Sequence, residues 1–221
     1  MLPHLNEVWD GYYSALEQIP ERLKKPVPFV VEALPLLKQH GAMVVLDLGC
    51  GLGRHCICLA KNDFDVVGVD LSRNALRVTR AQSHMEKTAK VALVHASMTN
   101  LPFAGRCLDA VVSVSVIHHS VGKDLERTVQ EVHRVLKNGG LFLTNLLSLE
   151  DYRYGLGQKI EEGTFRVWED FEERHFKEIH HFSTREEVSK YLTAFRNVNI
   201  DTIQSGVEGR IHRYWKVVAI K

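Results

Sequence analysis

Short apolar runs alternate with amphipathic stretches between residues 43 and 147. Five runs are compact and bounded by turn residues, as expected for strands buried on both faces; they lie at 43–50, 65–70, 91–97, 108–116 and 141–147. The stretches between them predict helices over 54–62, 72–87 and 123–136, the second one N-capped by Ser72. This alternation predicts an α/β protein whose parallel sheet is covered by helices on both sides.

The two ends of the chain follow other patterns. Prolines interrupt residues 6–39, which predicts two or three short helices ahead of the sheet. Residues 151–182 are rich in Tyr, Gly, Glu and His without a clear rhythm, which indicates a functional flap or a solvated loop. Ser183 and Glu186 then form a capping-box pattern that predicts a helix to Phe195. Two closing strands are predicted at 198–204 and 214–220.

Composition and charge narrow the function classes. The 221 residues, 45% hydrophobic and 25% charged, suit one globular domain with a single core. With 28 Lys and Arg against 27 Asp and Glu, the net charge of +1 gives no broad attraction to nucleic acid or to an anionic membrane. No apolar run approaches the length of a membrane span, and the first residues lack a signal-peptide pattern. We therefore expect a cytoplasmic protein.

The cysteines do not suggest a metal site or a disulfide. They contain no CxxC pair, and Cys56 and Cys58 would point to different faces of a helix; all four are Cys50, Cys56, Cys58 and Cys107. We expect reduced thiols that pack as small apolar side chains, and we predict no metal.

The chemistry is concentrated in the run VVLDLGCGLGR, where a strand ends and a helix begins. Glycines in such a turn let the backbone approach a ligand, and the helix start leaves N–H donors free. The second strand ends in Asp70, where an acid can accept hydrogen bonds from the ribose of an adenosine cofactor. This spacing fits both a dinucleotide and S-adenosylmethionine. The glycine pattern disfavours the dinucleotide, because His55 stands where that motif prefers a small residue.

Five motifs in order make a resemblance specific. Asp47 to Gly53, GVDLS, TNLPF, IHHS and EVHRVLKNGGLFLT resemble the ubiquinone-biosynthesis type of class I S-adenosylmethionine-dependent methyltransferases, from Val44 to about Leu147. The resemblance implies an enzyme with a doubly wound, Rossmann-like sheet of seven strands, the last one antiparallel. Its expected parts are an N-terminal helical cap at 1–40, a cofactor-binding core at 41–148, a flap for the acceptor at 149–182, and a closing helix and strands at 183–221.

The resemblance also assigns cofactor contacts. Asp47 would orient the loop and approach the methionine amino group, Asp70 would hold the ribose hydroxyls, and Leu71 would pack on the adenine. Ser97 occupies a position where the family commonly has an acid that binds the adenine amino group, so adenine recognition would rest on Ser97 and the Met98 backbone. The remaining expected contacts are Gly49, Cys50, Gly51, Gly53, Ser115 and, as a lid, Tyr13.

Methyl transfer at a sulfonium needs an aligned acceptor, exclusion of water and, for some acceptors, a base. His119 is the first candidate base, followed by His180 and His181 in the flap, which more loosely resembles tellurite-resistance-type methyltransferases. Other candidates on the acceptor side are Tyr152, Arg153, Tyr154 and His175, with Phe165 and Trp168 as apolar walls and Trp9 and Tyr12 in the N-terminal lid. Packing or solvated surface is the alternative for each of them.

Four functions remain open. A small-molecule methyltransferase fits the motifs and the near-zero charge best. An RNA methyltransferase would use the basic residues Arg153, Lys159, Arg166 and 210–216. A catalytically silent partner subunit would fit the departure at Ser97, and a nicotinamide oxidoreductase is disfavoured by the glycine spacing. The acceptor and the oligomeric state stay open.

Overall fold

The computed structural model describes residues 5–16, 18–171, 174–207 and 210–221. The helices are α1 (Leu5–Ser14), α2 (Glu21–Lys24), α3 (Pro28–Gln39), α4 (Arg54–Lys61), α5 (Arg73–Met85), α6 (Gly122–Val135) and α7 (Arg185–Tyr191). The strands are β1 (Val44–Leu48), β2 (Asp65–Asp70), β3 (Val91–His95), β4 (Leu108–Ser113), β5 (Leu136–Ser148), β6 (Gln158–Glu161), β7 (Thr164–Phe171), β8 (Arg174–Ser183), β9 (Arg196–Val207) and β10 (Arg210–Ile220).

Seven strands form the central sheet in the order β3-β2-β1-β4-β5-β10-β9. Strands β1 to β5 are parallel, and β10 runs antiparallel to both β5 and β9. The predicted mostly parallel sheet with an antiparallel last strand is therefore confirmed. Because parallel strands carry their carboxyl ends to one edge, the turns after β1, β2 and β4 meet there.

Successive residues of each central strand point to opposite faces of the sheet and pack into two separate hydrophobic layers. Val45 packs with α3 and α4 on one face, where Phe29, Leu37 and Leu59 are buried. The neighbouring Leu46 packs on the other face, against buried residues of α6 and α7 that include Val129, Val132 and Val188. Strands covered on both faces read as continuous apolar runs, which is why the sequence identifies them.

The flap differs from the prediction of an irregular segment. Strands β6, β7 and β8 form an antiparallel meander, and the end of β8 pairs in parallel with the end of β5 through Phe182 and Ser183. The fold therefore has ten strands among the described residues rather than seven. Histidines and a glutamate occupy buried positions of β8, so the usual apolar–polar alternation of a strand is absent from the sequence.

The closing helix begins one residue later than predicted. Ser183 ends β8 and is fully buried, whereas the Thr184 hydroxyl oxygen accepts a hydrogen bond from the Glu187 backbone N–H at 3.1 Å. Thr184 is thus the N-cap, and α7 ends at Tyr191 rather than Phe195. The predicted cap of α5 is confirmed, since Ser72 Oγ accepts from the Ala75 N–H. None of the helices in the described ranges has both the length and the apolar character needed to span a bilayer.

Candidate active site

The turn between β1 and α4 depends on glycine at the two positions nearest the cavity. Gly49 and Gly51 have φ angles of +73° and +52°, which L side chains rarely adopt. A Cβ at Gly49 would lie 2.4 Å from the Val116 side chain, and one at Gly51 would lie 2.9 Å from the Tyr13 hydroxyl. The turn can therefore bring its backbone close to both the end of β4 and α1.

Asp70 organises this turn from the end of β2. Its Oδ2 accepts a hydrogen bond from the Gly51 N–H and its Oδ1 accepts one from the Ser72 N–H, each at 2.8 Å. Burial raises the pKa of Asp70, although these backbone hydrogen bonds act in the opposite direction. Each carboxylate oxygen has a second lone pair, so Asp70 can hold the turn and still accept hydrogen bonds from a ligand.

Two motif residues lie behind the cavity wall. Asp47 is 1% exposed, and its Oδ2 accepts a hydrogen bond from Cys56 Sγ at 3.1 Å. Burial raises the pKa of Asp47 to about 6. Gly53 is the N-cap of α4 at φ +84°, where a Cβ would lie 2.5 Å from the Thr79 side chain. Neither residue lines the cavity, so both shape the turn from behind.

The thiols near the turn are unreactive packing groups. Cys50 and Cys56 are buried, and none of the four cysteines is in a disulfide. The hydrogen bond with Cys50 and burial raise the pKa of Cys56 well above its usual value. It remains a neutral thiol near neutral pH, as expected from the sequence.

Ser97 and Met98 lie beside the turn, on the segment after β3, and both line the cavity. The Ser97 hydroxyl is 2.9 Å from the Thr99 hydroxyl and accepts a hydrogen bond from the Thr99 N–H at 3.2 Å. These hydrogen bonds fix the orientation of the Ser97 hydroxyl.

Ser115 has a strained backbone at the end of β4. Its φ of +58° is unusual for a residue other than glycine, and such conformations often occur at ligand sites. The Ser115 N–H donates a 2.6 Å hydrogen bond to Asn145 Oδ1 on β5. Asn145 is 3% exposed and was not among the residues singled out from the sequence, where it appears as one polar residue within an apolar strand.

His118 and His119 follow this turn, and both line the cavity. Burial lowers the pKa of both imidazoles, that of His119 to about 4. Both rings are therefore neutral near pH 7. His118 Nδ1 lies 3.4 Å from the Asn145 carbonyl oxygen, whereas His119 faces the flap.

Glu178 is the main functional candidate that the sequence analysis missed. It lines the cavity from β8 at 5% exposure, and its Oε1 lies 2.7 Å from His180 Nε2 and 3.4 Å from His119 Nδ1. Burial raises the pKa of Glu178. Its alternation with His180 along the strand was the available signal, because residues two apart share one face of a strand. His180 is fully buried behind Glu178.

His181 faces the other side of β8 and does not line the cavity. Its Nδ1 is 2.7 Å from the Thr164 hydroxyl, and its Nε2 is 3.2 Å from Glu187 Oε1 on α7. The Tyr191 hydroxyl donates to the same Glu187 oxygen at 2.7 Å. His181 therefore connects the flap to α7, and the geometry gives it a structural role.

The other flap candidates divide into two groups. Tyr152 and Arg153 line the cavity, and the Arg153 guanidinium donates to Asp151 Oδ1 at 2.8 Å. Burial alone would raise the pKa of Asp151, but hydrogen bonds from His212 and Arg153 outweigh it and lower the value. Away from the cavity, Tyr154 packs edge-on against Phe165, and Trp168 is 61% exposed beneath Lys177. The side chain of His175 lies outside the described part of the structure.

Helix α1 closes the cavity with Trp9, Tyr12 and Tyr13. The Trp9 ring centroid lies 5.1 Å from that of His119. Asp10 fixes the helix in place, because its Oδ1 accepts hydrogen bonds from Ser72 Oγ at 2.7 Å and from the Asn74 N–H at 3.0 Å. The predicted lid thus lies over the glycine turn in this structure.

These elements enclose one cavity of about 680 Å³. One half is lined by most of the predicted cofactor contacts, namely Tyr13, Gly49, Cys50, Gly51, Asp70, Leu71, Ser97, Met98 and Ser115. The other half is lined by polar and aromatic residues, including His118, His119, Tyr152, Arg153, Glu178, His212 and Tyr214. The volume lies in the ordinary range for ligand pockets.

Comparison with known proteins identifies the fold family. Residues 46–144 match the family model described as a methyltransferase domain. Residues 46–144 therefore correspond to a methyltransferase domain. It is 30% identical to a putative methyltransferase of Geobacillus sp. over 121 residues, which are 54% of this chain and 49% of that protein. It is also 30% identical to a glycine/sarcosine N-methyltransferase of Parasynechococcus marenigrum over 139 residues, 60% of this chain and 48% of that one.

A solved structure of an S-adenosylmethionine-dependent methyltransferase from Methanosarcina mazei shares the fold of this methyltransferase domain. The TM-score is 0.69 at 20% identity, covering 84% of this chain and 97% of that one. The predicted fold is therefore confirmed, and the domain match over residues 46–144 agrees with the predicted family. The similarity to tellurite-resistance-type enzymes stays a prediction. The chain spans about half the length of the curated relatives that it matches first.

Proposed function

We propose that this protein transfers a methyl group from S-adenosylmethionine to a small-molecule acceptor. The observation that carries the proposal is the single cavity, because it joins a glycine turn and Asp70 to a buried pocket of neutral imidazoles and one glutamate. The first half offers the groups that an adenosine cofactor requires, and the second offers proton acceptors beside it.

In the cofactor half, Asp70 would accept hydrogen bonds from the ribose hydroxyls while it holds the Gly51 N–H. Leu71 and Met98 would contact the adenine, and Ser97 would offer it a hydroxyl. Gly49 and Ser115, whose backbone is left-handed, would hold the methionine portion. Tyr13 covers the turn from α1.

In the acceptor half, the reaction is a displacement at the methyl carbon. A lone pair on the acceptor atom forms the new bond to carbon, while the carbon–sulfur bond breaks and its electron pair neutralises the sulfonium. Where the acceptor atom carries a proton, the neutral ring of His119 can accept it, and Glu178 stabilises the resulting imidazolium. Trp9 and Tyr12 exclude water from this half.

The acceptor half is more suitable for a small molecule than for RNA, although a relative from Drosophila melanogaster is a tRNA methyltransferase. The charge of Arg153 is balanced by Asp151, and Lys159 forms an ion pair with Glu162 at 2.6 Å. Arg153 and Lys159 were two of the predicted candidates for RNA contacts, besides Arg166 and residues 210–216. Helix α1 and the flap also form walls of the pocket around its acceptor half.

The test is a calorimetric titration of the purified protein with S-adenosylmethionine, its demethylated product and NAD in parallel. We expect the first two to bind at micromolar concentration and NAD not to bind. Protein that binds the cofactor is then incubated with methyl-labelled cofactor and a panel of small amines, phenols and carboxylic acids, with unmodified RNA as a second acceptor class. Preference for NAD would refute the cofactor, and labelling of RNA alone would refute the acceptor class.

A further inference from the structure

His119, Glu178 and His180 form a compact cluster of potential metal ligands in the wall of the cavity. One ligand atom from each residue lies within 4.8 Å of the other two. Glu178 Oε1 is 2.7 Å from His180 Nε2 and 3.4 Å from His119 Nδ1. When metal–ligand bonds are about 2.1 Å long, neighbouring ligand atoms lie roughly 3.0–3.5 Å apart. Small side-chain rotations would therefore place all three atoms around one ion.

Buried polar atoms of Glu178 and His119 have no hydrogen-bond partner in the part of the chain that the structure describes. They are Glu178 Oε2 and His119 Nδ1, and each is buried. A buried carboxylate oxygen without a partner is costly, and native structures seldom contain one without an ion or water nearby. A cation bound between these residues would satisfy both atoms.

Rigid elements support the three side chains. Glu178 and His180 occupy alternate positions of β8, which pairs with β7 from Arg174 to His181. The backbone N–H of His119 donates to the Val116 carbonyl at 2.9 Å, in the turn that follows β4. Ligands held this way keep their relative positions, which favours a specific site over loose binding by surface histidines.

We propose that His119, Glu178 and His180 bind a divalent transition-metal ion of the Zn²⁺ type. Two imidazoles and one carboxylate are a ligand set typical of Zn²⁺, Fe²⁺ and related ions, whereas Mg²⁺ prefers oxygen ligands. The positive charge of the nearby Arg153 guanidinium is balanced by its ion pair with Asp151, which reduces its repulsion of a bound cation. The spacing of the ligands along the chain does not predict such a site.

The position of the site indicates its use. His119 and Glu178 line the cavity and His180 lies behind them, so the remaining coordination positions of the ion face the acceptor half. This inference rests on the proposed function, because an oxygen or nitrogen of the acceptor would occupy an open position and be oriented toward the cofactor. With the ion bound, His119 is a metal ligand rather than the base, and the ion lowers the pKa of the bound acceptor group instead. The acceptor class then narrows to small molecules that can chelate or ligate a metal.

The test uses tag-free protein freed of metal with a chelator and titrated with Zn²⁺, Co²⁺ and Mg²⁺. We expect about one equivalent of Zn²⁺ and of Co²⁺ to bind, Co²⁺ with a visible absorption band of protein-bound metal, and Mg²⁺ not to bind. Glu178→Gln and His180→Asn should each weaken Zn²⁺ binding at least ~10-fold. His40→Asn, which removes an exposed histidine at the end of α3, should leave it unchanged.

Binding of the demethylated cofactor product is measured in the same samples, which separates the two proposals. If wild-type protein binds this product but takes up no stoichiometric Zn²⁺ or Co²⁺, the metal site is wrong and the proposed function stands. Equal Zn²⁺ affinity of Glu178→Gln and wild type would also overturn the site. If the variants do not fold, the stoichiometry and the Co²⁺ spectrum of wild-type protein decide the question alone.

Discussion

At the scale of single residues, one carboxylate both builds the glycine turn and faces the cavity. The Asp70 carboxylate accepts hydrogen bonds from the Gly51 and Ser72 N–H groups, so one side chain both stabilises the turn and is available to the proposed ligand. The same strand begins with Asp65, which is exposed at the opposite end of β2 and has no place in the cavity. This pair provides a matched comparison of two aspartates in one strand.

We predict that Asp70→Ala weakens binding of S-adenosylmethionine by about 10- to 100-fold, because hydrogen bonds to a charged acceptor contribute roughly 1.5–3 kcal/mol. Calorimetric titration measures the change, with Asp65→Ala as the control that should bind like wild type. Circular dichroism confirms that both variants fold. An unchanged affinity of Asp70→Ala would mean that the ribose lies elsewhere.

Asp47 gives a prediction about pH. Burial raises its pKa from 3.8 to about 6 in the folded protein, so between these values the folded state holds a proton that the unfolded state has lost. The contribution of Asp47 to the free energy of unfolding therefore falls as pH rises through this window, by at most about 3 kcal/mol, and stays low above it. Asp47→Asn cannot ionise and avoids this loss.

The measurement is urea unfolding of wild type and Asp47→Asn, without ligand, at several pH values between about 4 and 7. The stability of the variant relative to wild type should rise across the window, since other titrating groups are common to both proteins. A difference between the two proteins that is independent of pH would show that Asp47 ionises normally in the folded state.

At the scale of elements, the flap is held to the body of the protein at a small number of points. β8 joins the end of β5 by two residue pairs, and the His181 ring connects Thr164 on β7 to Glu187 on α7. The two neighbouring histidines of β8 thus have different contacts. His180 lies beside Glu178 near the cavity, and His181 connects β7 to α7.

We predict that His181→Ala lowers the free energy of unfolding by about 1–3 kcal/mol, because it removes a buried ring that hydrogen-bonds Thr164 and Glu187. Cofactor affinity should change little, since His181 does not line the cavity. Urea unfolding and cofactor titration test the two parts. His84→Ala, at an exposed position in the last turn of α5, is the control. A loss of affinity with unchanged stability would place His181 in the site.

The strands of the central sheet could be predicted from the sequence and those of the flap could not, because the two sets of strands bury different kinds of residue. Strands β1 to β5 are buried on both faces, so their apolar runs identify them directly. The buried face of β8 instead carries Glu178 and His180, which hides the strand and also hid Glu178 as a candidate. Likewise, the motif identified Asp47 at the end of β1 and Gly53 at the start of α4, but its spacing does not determine which of its residues face the cavity.

At the scale of the whole molecule, the cavity draws its wall from segments far apart in the sequence. Helix α1, the turns after β1, β2 and β4, the flap and the β9–β10 hairpin each contribute residues. A ligand that fills both halves therefore adds contacts between elements that lie far apart in the sequence. Such a ligand binds the folded state alone and stabilises it by mass action.

We predict that the demethylated cofactor product, at about 100 times its Kd, adds about 2.7 kcal/mol to the free energy of unfolding. For a domain of this size the melting temperature should rise by roughly 5–10 °C. Differential scanning calorimetry measures the shift, and Asp70→Ala at the same ligand concentration should show a much smaller one. NAD should cause none. An equal shift in wild type and Asp70→Ala would mean that the ligand stabilises the protein from a site outside this cavity, because only the cavity depends on Asp70.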